Sequence, residues 1–137
     1  MANYKIEEIE GIGPAYGKKL RQANINSVDQ LIKKGCDRIG RDELSDTTGL
    51  DASLILTWVN MADLFRVKGI GGEYAELLKK SGVDTVKELR NRNPDNLLAK
   101  MTEVNSAGRQ LVRALPSLKM VESWVALAKE LDPMVTH

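Results

Sequence analysis

Two tripeptides, Gly11-Ile12-Gly13 and Gly69-Ile70-Gly71, hold the strongest chemical potential of this chain. A pair of glycines lets the backbone turn tightly, and a helix that starts straight after such a turn presents its first amides outward, with the positive end of its dipole. That is a place for an anion, phosphate above all. Lys18 and Lys19, one turn into the helix after the first tripeptide, and Lys68 beside the second can add positive charge to these turns. The competing reading of each is an ordinary solvated lysine.

Nucleophilic and metal chemistry has much less to work with. The 137 residues include one cysteine, Cys36, and one histidine, His137. This inventory excludes a disulfide framework, a Cys/His zinc site and a Ser-His-Asp or Cys-His nucleophile, unless a second chain contributes. Cys36 reads as a small structural residue near a helix start. Catalysis by carboxylates alone stays formally open, but no metal or organic cofactor is implied.

The elements that must position these turns are helical. The chain is 42% hydrophobic and 28% charged, typical of a globular protein with a packed core, while aromatics make up only 4% and disfavour an all-β fold. The 20 Lys plus Arg against 19 Asp plus Glu leave a net charge of +1, so any polyanion site must be local. Residues 1–65 carry 8 basic and 10 acidic side chains, and residues 66–137 carry 12 and 9. The second half is the more basic, yet its glycine turn is followed by Glu73 and Glu76, which favour the helix dipole and repel phosphate. Met1 to Glu10 holds three glutamates and no apolar run of signal-peptide length, and no stretch approaches the roughly 18 apolar residues of a membrane span. A cytoplasmic protein without membrane contact is expected.

An internal repeat organises the chain. A shift of 58 residues lays Ile9–Leu31 over Val67–Leu89 without a gap, with seven identities in 23 positions: Gly11/Gly69, Ile12/Ile70, Gly13/Gly71, Tyr16/Tyr74, Leu20/Leu78, Val28/Val86 and Leu31/Leu89. Trp58-Val59 and Trp124-Val125 match again at a shift of 66, so the second half has gained about eight residues, placed around Pro116. Pro116 is expected to end one helix at Leu115, and Ser117 to cap the next. Pro14 suits a first helical position, and Asn24 and Gly82 suit the left-handed end of that helix. Ser27-x-x-Gln30 and Thr85-x-x-Glu88 read as capping boxes, Asp37 and Asp95 as helix openers, and Ser53 to Phe65 as a long apolar helix. Trp58 and Trp124 are expected in the core, with Tyr16 and Tyr74 anchoring the turns.

Ile9-x-Gly11-Ile12-Gly13-Pro14-x-x-Gly17-x-x-Leu20 resembles a helix-hairpin-helix motif, and Val67-x-Gly69-Ile70-Gly71-x-x-x-Ala75-x-x-Leu78 resembles a second. Leu44-x-x-x-Thr48-Gly49-Leu50 is similar to the degenerate second hairpin of such units, with Leu98-x-x-Met101-Thr102-Glu103-Val104 as a weaker counterpart. Each half is similar to the tandem helix-hairpin-helix domains of DNA repair proteins and to the C-terminal domain of the bacterial RNA polymerase alpha subunit. The pair resembles an uncharacterised bacterial domain-of-unknown-function family often labelled flap-endonuclease-like. The implied fold is all-α: two tandem helix-hairpin-helix (SAM-like) domains related by internal duplication, residues 1–65 and 66–137.

The resemblance implies that the amides of Gly13 and Ala15, and of Gly71 and Glu73, hold DNA backbone oxygens, and that the hairpin carbonyls are donors for a monovalent cation. The site residues it marks are Gly11, Ile12, Gly13, Ala15, Lys18, Lys19, Lys68, Gly69, Ile70 and Gly71. Contacts of this kind position double-stranded or branched DNA without reading its sequence. The expected function is a non-catalytic DNA-binding module. The alternative is a protein-protein interaction or scaffolding module that keeps the fold without binding DNA. The nuclease label does not carry over, because flap cleavage needs a carboxylate cluster with divalent metals in a separate catalytic domain. Gly17 departs from the alanine the motif prefers, whereas Ala75 retains it.

Overall fold

A computed structural model describes residues 4–108 and 110–137. The first three residues of the Met1–Glu10 stretch therefore lie outside the described residues. The protein is all-α: among the described residues a 3-10 helix at Ile6–Glu8 precedes eight helices, α1 (Pro14–Gln22), α2 (Val28–Gly35), α3 (Arg38–Thr48), α4 (Ala52–Leu64), α5 (Gly72–Lys80), α6 (Val86–Leu89), α7 (Pro94–Ala107) and α8 (Leu118–Glu130). Among the described residues the extended pairing is limited to an isolated bridge between Lys5 and Ser27. No helix among them is long and apolar enough to cross a membrane.

The chain divides into two compact units, Met1–Asp63 with Met134–His137, and Leu64–Pro133. In the first, α2 packs on α3, and α1 packs on α3 and the 3-10 helix. Its core gathers Ile6, Leu20, Leu31, Leu44, Ile55 and Trp58, all buried. In the second, α7 packs on α5 and α8, and α6 on α8, around Ile70, Leu78, Leu89, Leu97, Met101 and Trp124.

The helix ends follow local chemistry. Pro14 opens α1, where its missing N–H costs nothing. Asn24 (φ 65°) and Gly82 (φ 92°) take the left-handed conformation after α1 and α5. The next amides, of Ile25 and Val83, then reach back to the carbonyls of Leu20 and Leu78, each at 2.9 Å. Ser27 accepts the Gln30 amide at 3.2 Å, and Gln30 Oε1 accepts the Asn26 amide at 2.7 Å, closing a capping box shifted by one residue. Asp37 opens α3 by accepting the Gly40 amide at 2.8 Å.

Four expectations are corrected. The Thr85 hydroxyl donates to the Glu88 carboxylate, so the second capping box does not form on the four-residue α6. Asn93, not Asp95, caps α7, because Pro94 takes the first helical position and leaves the cap to the residue before it. The Leu98–Val104 stretch lies wholly inside α7 and makes no hairpin. Finally, α7 ends at Ala107 rather than at Leu115. The buried Asn105 carboxamide explains that early stop: Oδ1 accepts the amides of Leu111 (2.8 Å) and Val112 (3.1 Å), and Nδ2 donates to the Val112 carbonyl at 3.2 Å. A side chain that pairs with those amides holds them outside the helix. Ser117 then caps α8 by accepting the Met120 amide at 3.1 Å.

The C-terminal residues complete the first unit. The Thr136 amide donates to the Cys36 carbonyl at 2.8 Å, and the buried Arg41 donates to the carbonyls of Gly35 (2.9 Å) and Thr136 (2.7 Å). Cys36 closes α2, and its thiol donates to the Lys33 carbonyl at 3.6 Å.

Candidate functional site

The two glycine turns are built alike. Gly11 and Gly69 have φ of 94° and 96°, a region that side-chain-bearing residues enter only under strain. The amides of Ile12 and Ile70 bond back to the carbonyls of Ile9 and Val67, both at 3.1 Å. The Ile12 and Ile70 side chains are buried, so they anchor the turns and leave only main chain for a ligand. An indole lies against each turn: a Cβ on Gly11 would stand 3.8 Å from Trp58 Nε1, and one on Gly69 would stand 3.0 Å from Trp124 Nε1. Each indole packs on the tyrosine of the following helix. Tyr16 and Trp58 have ring centroids 5.2 Å apart at 58°, and Tyr74 and Trp124 have centroids 5.1 Å apart at 56°. Both tryptophans are buried, which makes them core supports of the turns rather than stacking surfaces for bases.

Where the helices begin, the two turns differ from most of the other helices, although the short α6 also lacks a side-chain cap. The N-caps of α1 and α5 are Gly13 and Gly71, which have no side chain to cap with. In contrast, Ser27, Asp37, Asn93 and Ser117 each accept an amide at the starts of α2, α3, α7 and α8. At the start of α4, Asp51 Oδ1 accepts the amide and the hydroxyl of Ser53, both at 2.8 Å. That occupies the helix end that sequence similarity assigns to a degenerate hairpin. The amides of Gly13, Ala15 and Tyr16 have no partner among the described residues, nor do those of Gly71, Gly72, Glu73 and Tyr74. Gly72 stands where the first unit has Pro14, so the second turn presents one donor more. Gly11, Gly13 and Ala15 are exposed; Gly69 and Glu73 are exposed, and Gly71 and Gly72 half-buried.

The electrostatics separate the two turns. The first turn of α1 holds no carboxylate, and Lys18 and Lys19 are exposed without an ion-pair partner among the described residues. The first turn of α5 holds the exposed Glu73. Lys68 is exposed beside it, also without an ion-pair partner among the described residues. Three arginines of the second unit are held on main-chain carbonyls: Arg66 and Arg90 donate to the carbonyls of Asp132 (2.8 Å) and Lys129 (3.1 Å), and Arg92 to that of Ser81 (3.5 Å). The second turn is also flanked, because the Tyr74 hydroxyl donates to the Ala114 carbonyl at 3.3 Å.

Sequence reasoning missed two residues of this surface. Glu7 and Arg21 join Pro14, Lys18 and Gln22 in lining a shallow groove of about 570 Å³ along α1. Arg21 grips the Glu7 carboxylate with two hydrogen bonds, Nε to Oε2 at 3.1 Å and Nη2 to Oε1 at 2.6 Å. The hydrogen bond from Arg21 holds the Glu7 carboxyl below its ordinary pKa. The one signal in the sequence is Gly17, a glycine inside a helix. A Cβ there would collide with Glu7 Oε2.

Among the described residues, no group of three or more His, Cys, Asp or Glu side chains is placed to hold a metal ion. No curated protein and no solved structure matches the chain. The family model described as Domain of unknown function (DUF4332) matches residues 10–131, a span that includes both glycine turns and all eight helices, and the chain belongs to that family.

Proposed function

We propose that the chain is a pair of tandem helix-hairpin-helix (SAM-like) units related by internal duplication. In this reading it is a non-catalytic, cytoplasmic module that holds phosphates of double-stranded or branched DNA without reading base sequence. Support for the duplication comes from the matched positive-φ glycines, the matched tyrosine–tryptophan pairs and the matched left-handed residues Asn24 and Gly82. One observation carries the DNA reading: α1 and α5 start on glycines that leave their first amides unpaired, while side-chain oxygens cap α2, α3, α7 and α8. Free amides at a positive helix end favour a phosphate oxygen, and neither glycine N-cap has a side chain to take the place.

The first hairpin is the principal contact in this reading, through the amides of Gly13 and Ala15 with Lys18 and Lys19. The second, through Gly71, Glu73 and Lys68, contributes less because a carboxylate sits in its first turn. The carbonyls of Gly11 and Ile12 accept no hydrogen bond from described residues, which suits them as donors to a monovalent cation. The test is a fluorescence-anisotropy titration of a labelled duplex across a salt series. Affinity should fall with salt by ~0.9 in the log-log slope for each phosphate engaged, irrespective of sequence. The double substitution Lys18→Glu with Lys19→Glu should abolish most of it. Absence of duplex and branched-junction binding at low salt would refute the reading.

A second reading, protein association, is favoured by a different observation. Leu115, Leu118 and Met120 are 37%, 38% and 37% exposed around the start of α8. If that patch is the working surface, Leu118→Asp with Met120→Asp abolishes partner copurification and leaves duplex titrations unchanged.

A further inference from the structure

The groove along α1 contains an arrangement that the hairpin alone does not explain. Pro14, Lys18, Arg21 and Gln22 recur at helical spacing, so they share one face that runs from the hairpin end of α1 toward its C-terminus. Two cations lie on that face, and one of them is held bidentate by the Glu7 carboxylate. A guanidinium fork of this kind fits a phosphate as well as it fits a carboxylate. The helix makes room for the carboxylate by omitting a side chain at Gly17, at a cost in helix propensity. The second unit lacks the whole device: at the repeat shift of 58 residues, Glu7, Gly17, Lys18 and Arg21 correspond to Phe65, Ala75, Glu76 and Lys79. Phe65 and Ala75 are both buried there.

We infer that this groove is a second phosphate subsite of the first unit, with Lys18 and Arg21 as its cations and Glu7 as the carboxylate that occupies it until nucleic acid displaces it. Arg21 lies seven residues beyond Pro14, about 10 Å along the helix axis, so it engages a phosphate other than the one at the hairpin amides. Glu7 thereby lowers affinity in the resting protein and makes binding depend on a backbone that offers two phosphates in the right places. The inference rests on the DNA reading above and adds a gate to it.

Two variants of the full chain open the gate by unrelated routes. Glu7→Gln removes the competing charge, and Gly17→Ala displaces the carboxylate by placing a methyl group where Oε2 lies. Anisotropy titrations of a labelled duplex at ~50 and ~200 mM salt should show tighter binding than wild type for both at low salt. Each should keep the wild-type log-log salt slope, because wild type and variants engage the same phosphates once bound, so the advantage holds across that range. Adding Arg21→Gln to wild type or to either variant should make the slope shallower by ~0.9, the loss of one phosphate, and remove the advantage. Thermal unfolding of each variant confirms that it is folded. Variants that bind no tighter than wild type, or an Arg21→Gln slope equal to that of wild type, overturn the gate and leave the hairpin reading standing. No binding by wild type or by any variant overturns both.

Discussion

Adding one methyl group to each glycine turn separates the two physical demands made on it. At Gly11 and Gly69 the backbone is equally strained for alanine, with φ near 95°, and that term alone costs ~1–3 kcal/mol. The surroundings differ. The new Cβ of Gly11→Ala meets Trp58 Nε1 at 3.8 Å, an ordinary contact, whereas that of Gly69→Ala stands 3.0 Å from Trp124 Nε1, and the buried indole must shift. Overpacking of this kind adds ~1–3 kcal/mol. Gly69→Ala should therefore destabilise its unit by about 1 kcal/mol or more beyond the loss at Gly11→Ala. Urea unfolding followed by far-UV circular dichroism and tryptophan emission measures both losses. Emission also locates them, since each indole belongs to one unit and only Gly69→Ala should alter the native spectrum. A loss below ~0.5 kcal/mol in both variants, the range of an ordinary surface substitution, would refute the tight-turn account. A larger loss at Gly11→Ala than at Gly69→Ala would refute the role given to the indoles.

Three further outcomes follow from other parts of the structure. Because Arg21 lowers the Glu7 pKa, the pair contributes stability above the ordinary carboxyl value of 4.5 and loses it as pH falls through the lower folded value. The stability gap between wild type and Glu7→Gln should be flat above about pH 5 and close below it, and it stays small because the pair is exposed. Asn105→Ala removes three hydrogen bonds to residues 111–112 and should cost ~2–4 kcal/mol, with faster proteolysis between Gln110 and Pro116; unchanged cleavage there would count against Asn105 as the clasp. Thr136→Pro removes the amide that the Cys36 carbonyl accepts and should cost the first unit ~1 kcal/mol, while Arg41→Ala should cost ~2–4 kcal/mol by leaving two carbonyls unpaired; chemical unfolding read through Trp58 checks both.

What the sequence made legible was local. The glycine turns, the left-handed Asn24 and Gly82, and the caps at Ser27, Asp37 and Ser117 each depend on residues within a few positions of one another. The chemistry of two or three side chains was enough to place them. The repeat added a second copy of most of these signals and identified Trp58 and Trp124 as core. What escaped depended on partners far along the chain or on competition between near neighbours. The Glu7–Arg21 pair spans 14 residues, and the Cys36–Thr136 bond spans 100. Neither has a local pattern, although Gly17 marks the space that Glu7 fills. The end of α7 is not legible because proline is a visible helix breaker, whereas an asparagine that draws off two downstream amides looks like any polar helix residue. Thr85 and Glu88 had the right types and spacing for a capping box, yet the hydroxyl and the carboxylate satisfied each other instead.

The most direct test of the central claim is the response of individual amides to DNA. In a nitrogen-15-labelled full-length sample titrated with a short duplex at low salt, the account predicts that the amide signals of Gly13, Ala15 and Tyr16 shift most, followed by Gly71 and Glu73, with smaller effects when salt is raised. Shifts that leave these amides in place and instead gather around Leu115, Leu118 and Met120, or a spectrum that does not change at all, would contradict it.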